Sequence, residues 1–243
     1  MPTDIPAPES VLPGEPAPVR MMNTIWADTA GVHDDLRSPA DLDAWLDAVG
    51  IDARIDARID AGVDRPGARA TADELVSARA LRDAARRLAA YVTDDSRPAA
   101  TSGIVSLPDA IVTVNAAARE VPARQLELHA GRLELTSRAL ASPVTAAIAQ
   151  VAEGVIELVT GADADRLRAC NAPGCVLYFS KTHPRREWCS VACGNRARAA
   201  RHYAKIRSAH PLQAGHAGSP GSFDGSLAPS GPSRPPKPTL VPG

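Results

Sequence analysis

Aromatic side chains are almost missing from this chain: three Trp, three Tyr and two Phe make up 3% of 243 residues. Alanine supplies much of the 44% apolar content, so the core has to be built from Ala, Leu, Val and Ile, which favours helices over a β-sandwich. Long apolar runs are missing too. None approaches the roughly 18 residues of a membrane span, and the opening Met1-Pro2-Thr3-Asp4 leads into no basic segment followed by an apolar one. The expected location is therefore cytoplasmic, with no membrane partner. No glycine-rich phosphate loop, nucleophile elbow or His-rich open metal site is present. The nearest ionisable cluster, His33 with Asp34 and Asp35, reads more simply as a loop, and no enzymatic activity is expected.

Net charge is close to nil, at −1, but only in sum. Residues 1–165 hold fifteen Lys/Arg against twenty-six Asp/Glu, a balance of −11, whereas residues 166–210 hold ten against one, a balance of +9. An acidic globular part joined to a basic part points to a polyanionic partner for the basic one. The length suits one main domain and one small appendage.

Residues 1–18 carry six prolines, at 2, 6, 8, 13, 16 and 18, and are expected to form a disordered arm. For Val19 to Trp26 the periodicity does not decide between strand and helix. Ser38-Pro39 with Asp41 opens a helix that places Leu42, Trp45, Leu46 and Val49 on one face. The repeat Ile51-Asp52-Ala53-Arg54, Ile55-Asp56-Ala57-Arg58, Ile59-Asp60-Ala61 reads as a solvated low-complexity helix or loop. Thr71-Ala72-Asp73-Glu74 is a capping box that starts a helix to about Tyr91, with Leu75, Ala78, Leu81, Ala85 and Leu88 inward. Arg79, Arg82, Arg86 and Arg87 are assigned to its wet face. A further helix runs from Ser106 through Ala118, and a β-hairpin turns at Ala130-Gly131 between arms of alternating polarity. A long helix from Ser142-Pro143 to about Thr160 then delivers the cysteine-bearing segment to the outside of the helical domain. From 209 onward the Gly-, Ser- and Pro-rich composition predicts a disordered tail. The fold class is thus mainly α with a small β-hairpin: a helical N-terminal domain over 19–162, then a small structural zinc-binding module over 166–208 that ends in a basic helix.

Cysteine is scarce as well, and all four residues fall in one stretch. Cys170-x4-Cys175 and Cys189-x3-Cys193 form two close pairs thirteen residues apart, the way a chain supplies four thiolates to one tetrahedral zinc. In a reducing compartment such a cluster binds metal rather than forming disulfides. Four sulfurs close the shell, so the single Zn2+ is expected to be structural. The module is too small for a core of its own, and loss of any one cysteine is expected to unfold it while sparing the helical domain. Val176, Leu177, Tyr178, Phe179 and Trp188 are expected to pack over the metal. Arg198, Arg201 and Lys205 lie at i, i+3 and i+7 on one face of the following helix, with Lys181, Arg185 and Arg186 in the intervening loop. Cationic groups on a helix beside a rigid metal knot suit phosphate contact and a groove.

Cys170-Asn171-Ala172-Pro173-Gly174-Cys175, Arg185-Arg186-Glu187-Trp188-Cys189 and Cys193-Gly194-Asn195-Arg196 with Ala197-Arg198 resemble the CGNR zinc finger, over about forty residues. Upstream, Asn23-Thr24, the Asp35-Leu36 to Trp45-Leu46 segment, Leu81-Arg82-Asp83-Ala84 and Asn115 are similar to landmarks of the ABATE domain, a mostly helical region held to sense stress or ligands. The chain departs from that pattern in its Ile-Asp-Ala-Arg repeat and in Arg20-Met21-Met22, where the family tends to be more apolar. The resemblance implies a bacterial transcription regulator that binds double-stranded DNA through the zinc module. It also implies roles for Asn195 and Arg196 beyond starting the helix, either bracing the loop or reaching phosphate. A small-molecule effector at the N-terminal domain and a homodimer belong to the same expectation. The competing reading is a zinc-stabilised protein-interaction module whose basic helix docks on an acidic partner, including the chain's own −11 part.

Overall fold

Pro16 and Pro18, which argued for an arm, sit at the N-cap and in the first turn of a helix, α1 (Ala17–Met22), where a missing N–H costs nothing. The computed structural model describes residues 12–50, 68–97, 102–121, 123–138, 141–162 and 164–209. The start of the arm, the Ile-Asp-Ala-Arg repeat and the tail beyond 209 lie outside the described residues. Val19, Met21 and Met22 are fully buried, so Arg20-Met21-Met22 still presents an apolar face to the core while Arg20 donates to the Ala48 carbonyl at 3.0 Å. The undecided segment is helix first and strand second. After α1 comes β1 (Ile25–Ala27), paired antiparallel with β2 (Val32–Asp34).

α2 (Pro39–Val49) and α3 (Ala72–Val92) both begin with reciprocal capping, Ser38 with Asp41 and Thr71 with Glu74. α2 stops at Gly50, whose φ of 72° suits glycine. α3 is the axis of the domain. α4 (Leu107–Ala118), capped by Ser106, and α5 (Pro143–Thr160), capped by Ser142, pack on it and on each other; α1 bridges α3 and α5, and α2 leans on α3. The Ser142 hydroxyl also bonds the Glu74 carboxylate, which ties the starts of α3 and α5 together. Alone among the described helices, α5 has the length and apolarity of a membrane span, but eight of its residues, Val144 to Val155, are buried in the core against α3 and α4. Between α4 and α5, β3 (Ala123–His129) and β4 (Arg132–Arg138) form the hairpin in the register Leu126 opposite Leu135 and Leu128 opposite Leu133.

Two arginines assigned to the wet face of α3 are not there. Arg82 is 4% exposed and Arg86 1%. The helical period puts them one turn apart, and the surface they cover is filled by elements distant in sequence. Arg82 pairs with Asp34 at 2.6 Å, whereas Arg86 reaches the far end of the chain.

That far end consists of a short 3-10 turn, β5 (Leu167–Ala169), β6 (Tyr178–Ser180) antiparallel to it, and α6 (Val191–Ala209). It is not delivered to the outside. Leu167 and Tyr178 lie in the same buried cluster as α1, α3 and α5. A second cluster around the cysteines is covered in turn by Leu12, Ile25, Trp26 and Ala27 from the N-terminal domain.

Candidate zinc centre and basic helix

Local chain geometry presents each cysteine. Cys170 follows β5, and its N–H donates to the Leu177 carbonyl at 2.9 Å, while Cys175 N–H closes a tight turn on the Ala172 carbonyl at 2.9 Å. Gly174, at φ +73°, supplies the left-handed residue this knuckle needs. On the other side the Ser190 hydroxyl accepts from the Cys193 N–H at 3.2 Å and so caps α6, which sets Cys193 in its first turn beside Cys189.

The four buried sulfurs all lie within 4.8 Å of one another. Cys189 Sγ is 3.4 Å from Cys193 Sγ and 3.8 Å from Cys175 Sγ, far beyond the roughly 2.05 Å of a disulfide and close to the edge of about 3.8 Å that a tetrahedron with 2.3 Å metal–sulfur bonds requires. Without a cation such a cluster cannot ionise completely. Hydrogen bonding among the thiols, led by Cys175, lowers Cys170; the Cys170 contact also lowers Cys193 and raises Cys175 and Cys189. A dication removes this conflict by accepting all four as thiolates. The donor set therefore fits one structural Zn2+, and its four-sulfur shell leaves no coordination position for substrate.

Two further groups address the sulfurs. The Cys189 N–H points at Cys170 Sγ, 3.5 Å away, and Arg196 Nη2 lies 3.2 Å from Cys193 Sγ. A guanidinium beside a dianionic zinc–thiolate cluster balances its charge and orients a ligand. Gly194 follows from crowding: a Cβ there would sit 3.1 Å from Trp188 Cδ1 and 3.3 Å from Arg198 Nη1. The aromatics divide. Phe179 packs around the cysteines with Val176 and Leu177, and Trp188 leans on that cluster, but Tyr178 turns into the main core. His183 and His202 stay outside the metal cluster.

The basic residues divide as well. Arg186 faces inward: it pairs with Glu15 at 2.7 Å, donates to the carbonyls of Ser180 and Cys189 at 3.0 Å each, and stacks over Phe179 at 4.9 Å. Its neighbour Arg185 is exposed and Lys181 half-exposed. Arg198 donates to the Asn195 side chain, and both are exposed. Arg201, Lys205 and Arg207 are exposed with no ion pair among the described residues. From Arg201 to Ser208 every residue of α6 is exposed, including Tyr203 and Ile206, so this half projects into solvent from a first turn held by the metal knot.

The groups that bind the knot to the body were not singled out as site residues. Asn23 Nδ2 donates to the Tyr178 carbonyl and receives the Tyr178 N–H on Oδ1, both at 2.9 Å. Arg86 donates to the Met22 carbonyl at 2.9 Å and the Val176 carbonyl at 3.3 Å, its guanidinium 5.4 Å from the Tyr178 ring centre. Burial lowers the Arg86 pKa. Arg97 donates to the carbonyls of Cys170 and Cys175, the latter at 2.8 Å, and pairs with Asp95 at 2.6 Å. Tyr178 donates its hydroxyl to Asp95 at 3.0 Å, and burial pushes its pKa up to about 12. Of these, Asn23 is a landmark of the resemblance and Tyr178 is among the aromatics expected over the metal; Arg86 reads in the sequence as part of a wet helix face, and Arg97 carries no signal.

The family comparisons divide the chain at the same place. The model of the ABATE family, described as "Putative stress-induced transcription regulator", matches residues 15–162, and that of the CGNR zinc finger matches residues 166–205. No curated protein matches the chain. With the family match spanning more than half of the sequence and the four cysteines converging as the zinc finger requires, the chain belongs to the ABATE family of regulators and carries a CGNR zinc finger.

Proposed function

We propose that the protein is a cytoplasmic transcription regulator that binds double-stranded DNA through α6, with its N-terminal domain receiving a stress signal or small-molecule effector and pairing two copies. The observation that carries this reading is the projecting half of α6. A helix about 10–12 Å across fits the major groove, about 12 Å wide. The exposed half of α6, Tyr203 and Ile206 included, takes no support from the core, and a partner surface would order it. Here it displays Arg198, Arg201, Lys205 and Arg207 and no acidic residue. Arg185 and Lys181 extend the positive surface along the loop, whereas Arg186 and Arg196 serve the metal knot. The closed sulfur shell, the regulator-type ABATE family and the CGNR zinc finger favour regulation over catalysis. Docking of the basic helix on the acidic domain finds no support among the described residues, because the cationic side chains of α6 make no ion pair there.

The test uses the full-length, zinc-loaded protein and fluorescence anisotropy on duplex DNA across a salt series. Log affinity should fall with log salt by about 0.9 per phosphate contacted. The triple variant R198E/R201E/K205E should flatten that slope by about 2–3 and weaken binding on all sequences. Salt-independent binding, or a variant indistinguishable from the parent, would overturn the reading.

A further inference from the structure

The β3–β4 hairpin presents an uncovered apolar face. Leu126, Leu128, Leu133 and Leu135 are 68%, 71%, 70% and 59% exposed, and the register sets them as two cross-strand pairs, a square of four on one side of the ribbon. Every described residue from 125 to 135 is exposed. Among these residues the leucine side of the ribbon is not buried against the helical body, although the hairpin springs from the connection between two of its core helices.

An isolated two-stranded hairpin is marginal in water. Its turn places Ala130 at φ 47° and Gly131 at φ 79°; that double positive φ favours Asn-Gly or Asp-Gly and strains an alanine. On the polar side Glu127 stands directly opposite Glu134, a like-charge pair that weakens the ladder. The leucine square is the main apolar feature of the described ribbon, and covering it would add its burial to the cross-strand pairing.

We infer that the leucine face of the hairpin is an interaction surface whose occupant is a second copy of this chain, packed face to face. The pattern is self-complementary. Leu126 and Leu128 on one strand stand opposite Leu135 and Leu133 on the other, so a two-fold axis lying between two such faces, parallel to them, lays four leucines on four. Glu127, His129, Arg132 and Glu134 all alternate to the opposite side, so pairing desolvates no charge. Edge-to-edge pairing would leave the leucines in water, which selects the face-to-face arrangement. A leucine side chain taken from water into a packed interior removes roughly 100 Å2, so eight of them bury on the order of 800 Å2, below the roughly 1,200 Å2 of stable specific interfaces and in the range of a weak, reversible dimer. This assigns a surface to the pairing of copies included in the proposed function, and it stands or falls without DNA.

Sedimentation equilibrium of the full-length, zinc-loaded protein, without DNA, from about 1 to about 100 µM should show a reversible dimer with dissociation constant in or below that range. Leu128→Glu with Leu133→Glu should raise the constant at least about 100-fold, because four carboxylates would be buried per dimer. Leu128→Ile with Leu133→Ile should keep the dimer, since it keeps an apolar face of equal volume. Helical circular dichroism and zinc content should match the parent in both variants. A parent that is monomeric at 100 µM, or a glutamate variant that dimerises like the parent, overturns the inference. Failure of salt-dependent DNA binding would not affect it.

Discussion

Removing the metal should destabilise the whole described body and not the finger alone. The reasoning starts at Leu167 and Tyr178, 1% and 0% exposed inside the core that α1, α3 and α5 share. When the thiolates lose their cation the knuckle and the β5–β6 pair lose what fixes them, and these two side chains leave that core. At about 2 kcal/mol each they represent about 4 kcal/mol. The Asn23–Tyr178 bonds, the Arg86 bond to Val176 and the Arg97 bonds to Cys170 and Cys175 go with them, at about 1 kcal/mol net for each of the three anchors. The loss, about 7 kcal/mol, is of the order of a domain's entire stability, about 5–15 kcal/mol. At roughly 2–4 °C per kcal/mol for a chain of this size, the main melting transition should fall by at least about 15 °C. Scanning calorimetry of the parent with and without a zinc chelator, and of Cys175→Ser, reads this directly. The parent should melt in one transition, and the zinc-free forms in one much lower or broader transition. A helical transition left at its original temperature after zinc loss would refute the reasoning and show the finger to be an independent appendage, as its size and sequence alone predicted.

Two further outcomes follow from the same contacts. Arg86→Met keeps most of the buried volume but leaves the Met22 and Val176 carbonyls without their guanidinium donor; urea unfolding followed by circular dichroism should show a loss of about 2–4 kcal/mol with zinc stoichiometry unchanged. Stability should also fall in acid. Burial alone would raise Asp95 and Glu74, but hydrogen bonds and charge from Arg97 and Tyr178 at the first, and hydrogen bonds from Ser142, Thr71 and Thr145 at the second, hold both below their ordinary values of 3.8 and 4.5. A carboxylate with a depressed native pKa stabilises fully above its unfolded value and progressively less as the pH drops through the native one. Stability measured in urea should therefore be level from neutral pH to about 5 and decline below the ordinary carboxylate values. Asp95→Asn should lower the neutral-pH plateau and shallow the decline; an unchanged acid slope in that variant would remove Asp95 from this account.

Whatever depends on neighbours within about one helical turn was determined by the sequence alone. The boxes Ser38–Asp41 and Thr71–Glu74, the serine caps of α4 and α5, the Ala130-Gly131 turn and the pairing of cysteines across a knuckle and a helix start are all short-range chemistry. Each can be read from spacing because the partners are fixed by local backbone geometry. The fate of the arginines was a tertiary decision. Arg185 and Arg186 are adjacent and alike in sequence, yet one is exposed and the other is drawn inward by Glu15, over 160 residues earlier. Arg82 and Arg86 share a helical face that looks wet until β2, the end of α1 and the zinc knuckle close over it. Helical periodicity reports which residues share a face; only the packing of distant segments decides what covers that face. That is why the zinc site itself was legible, while its integration into the core of the N-terminal domain was not.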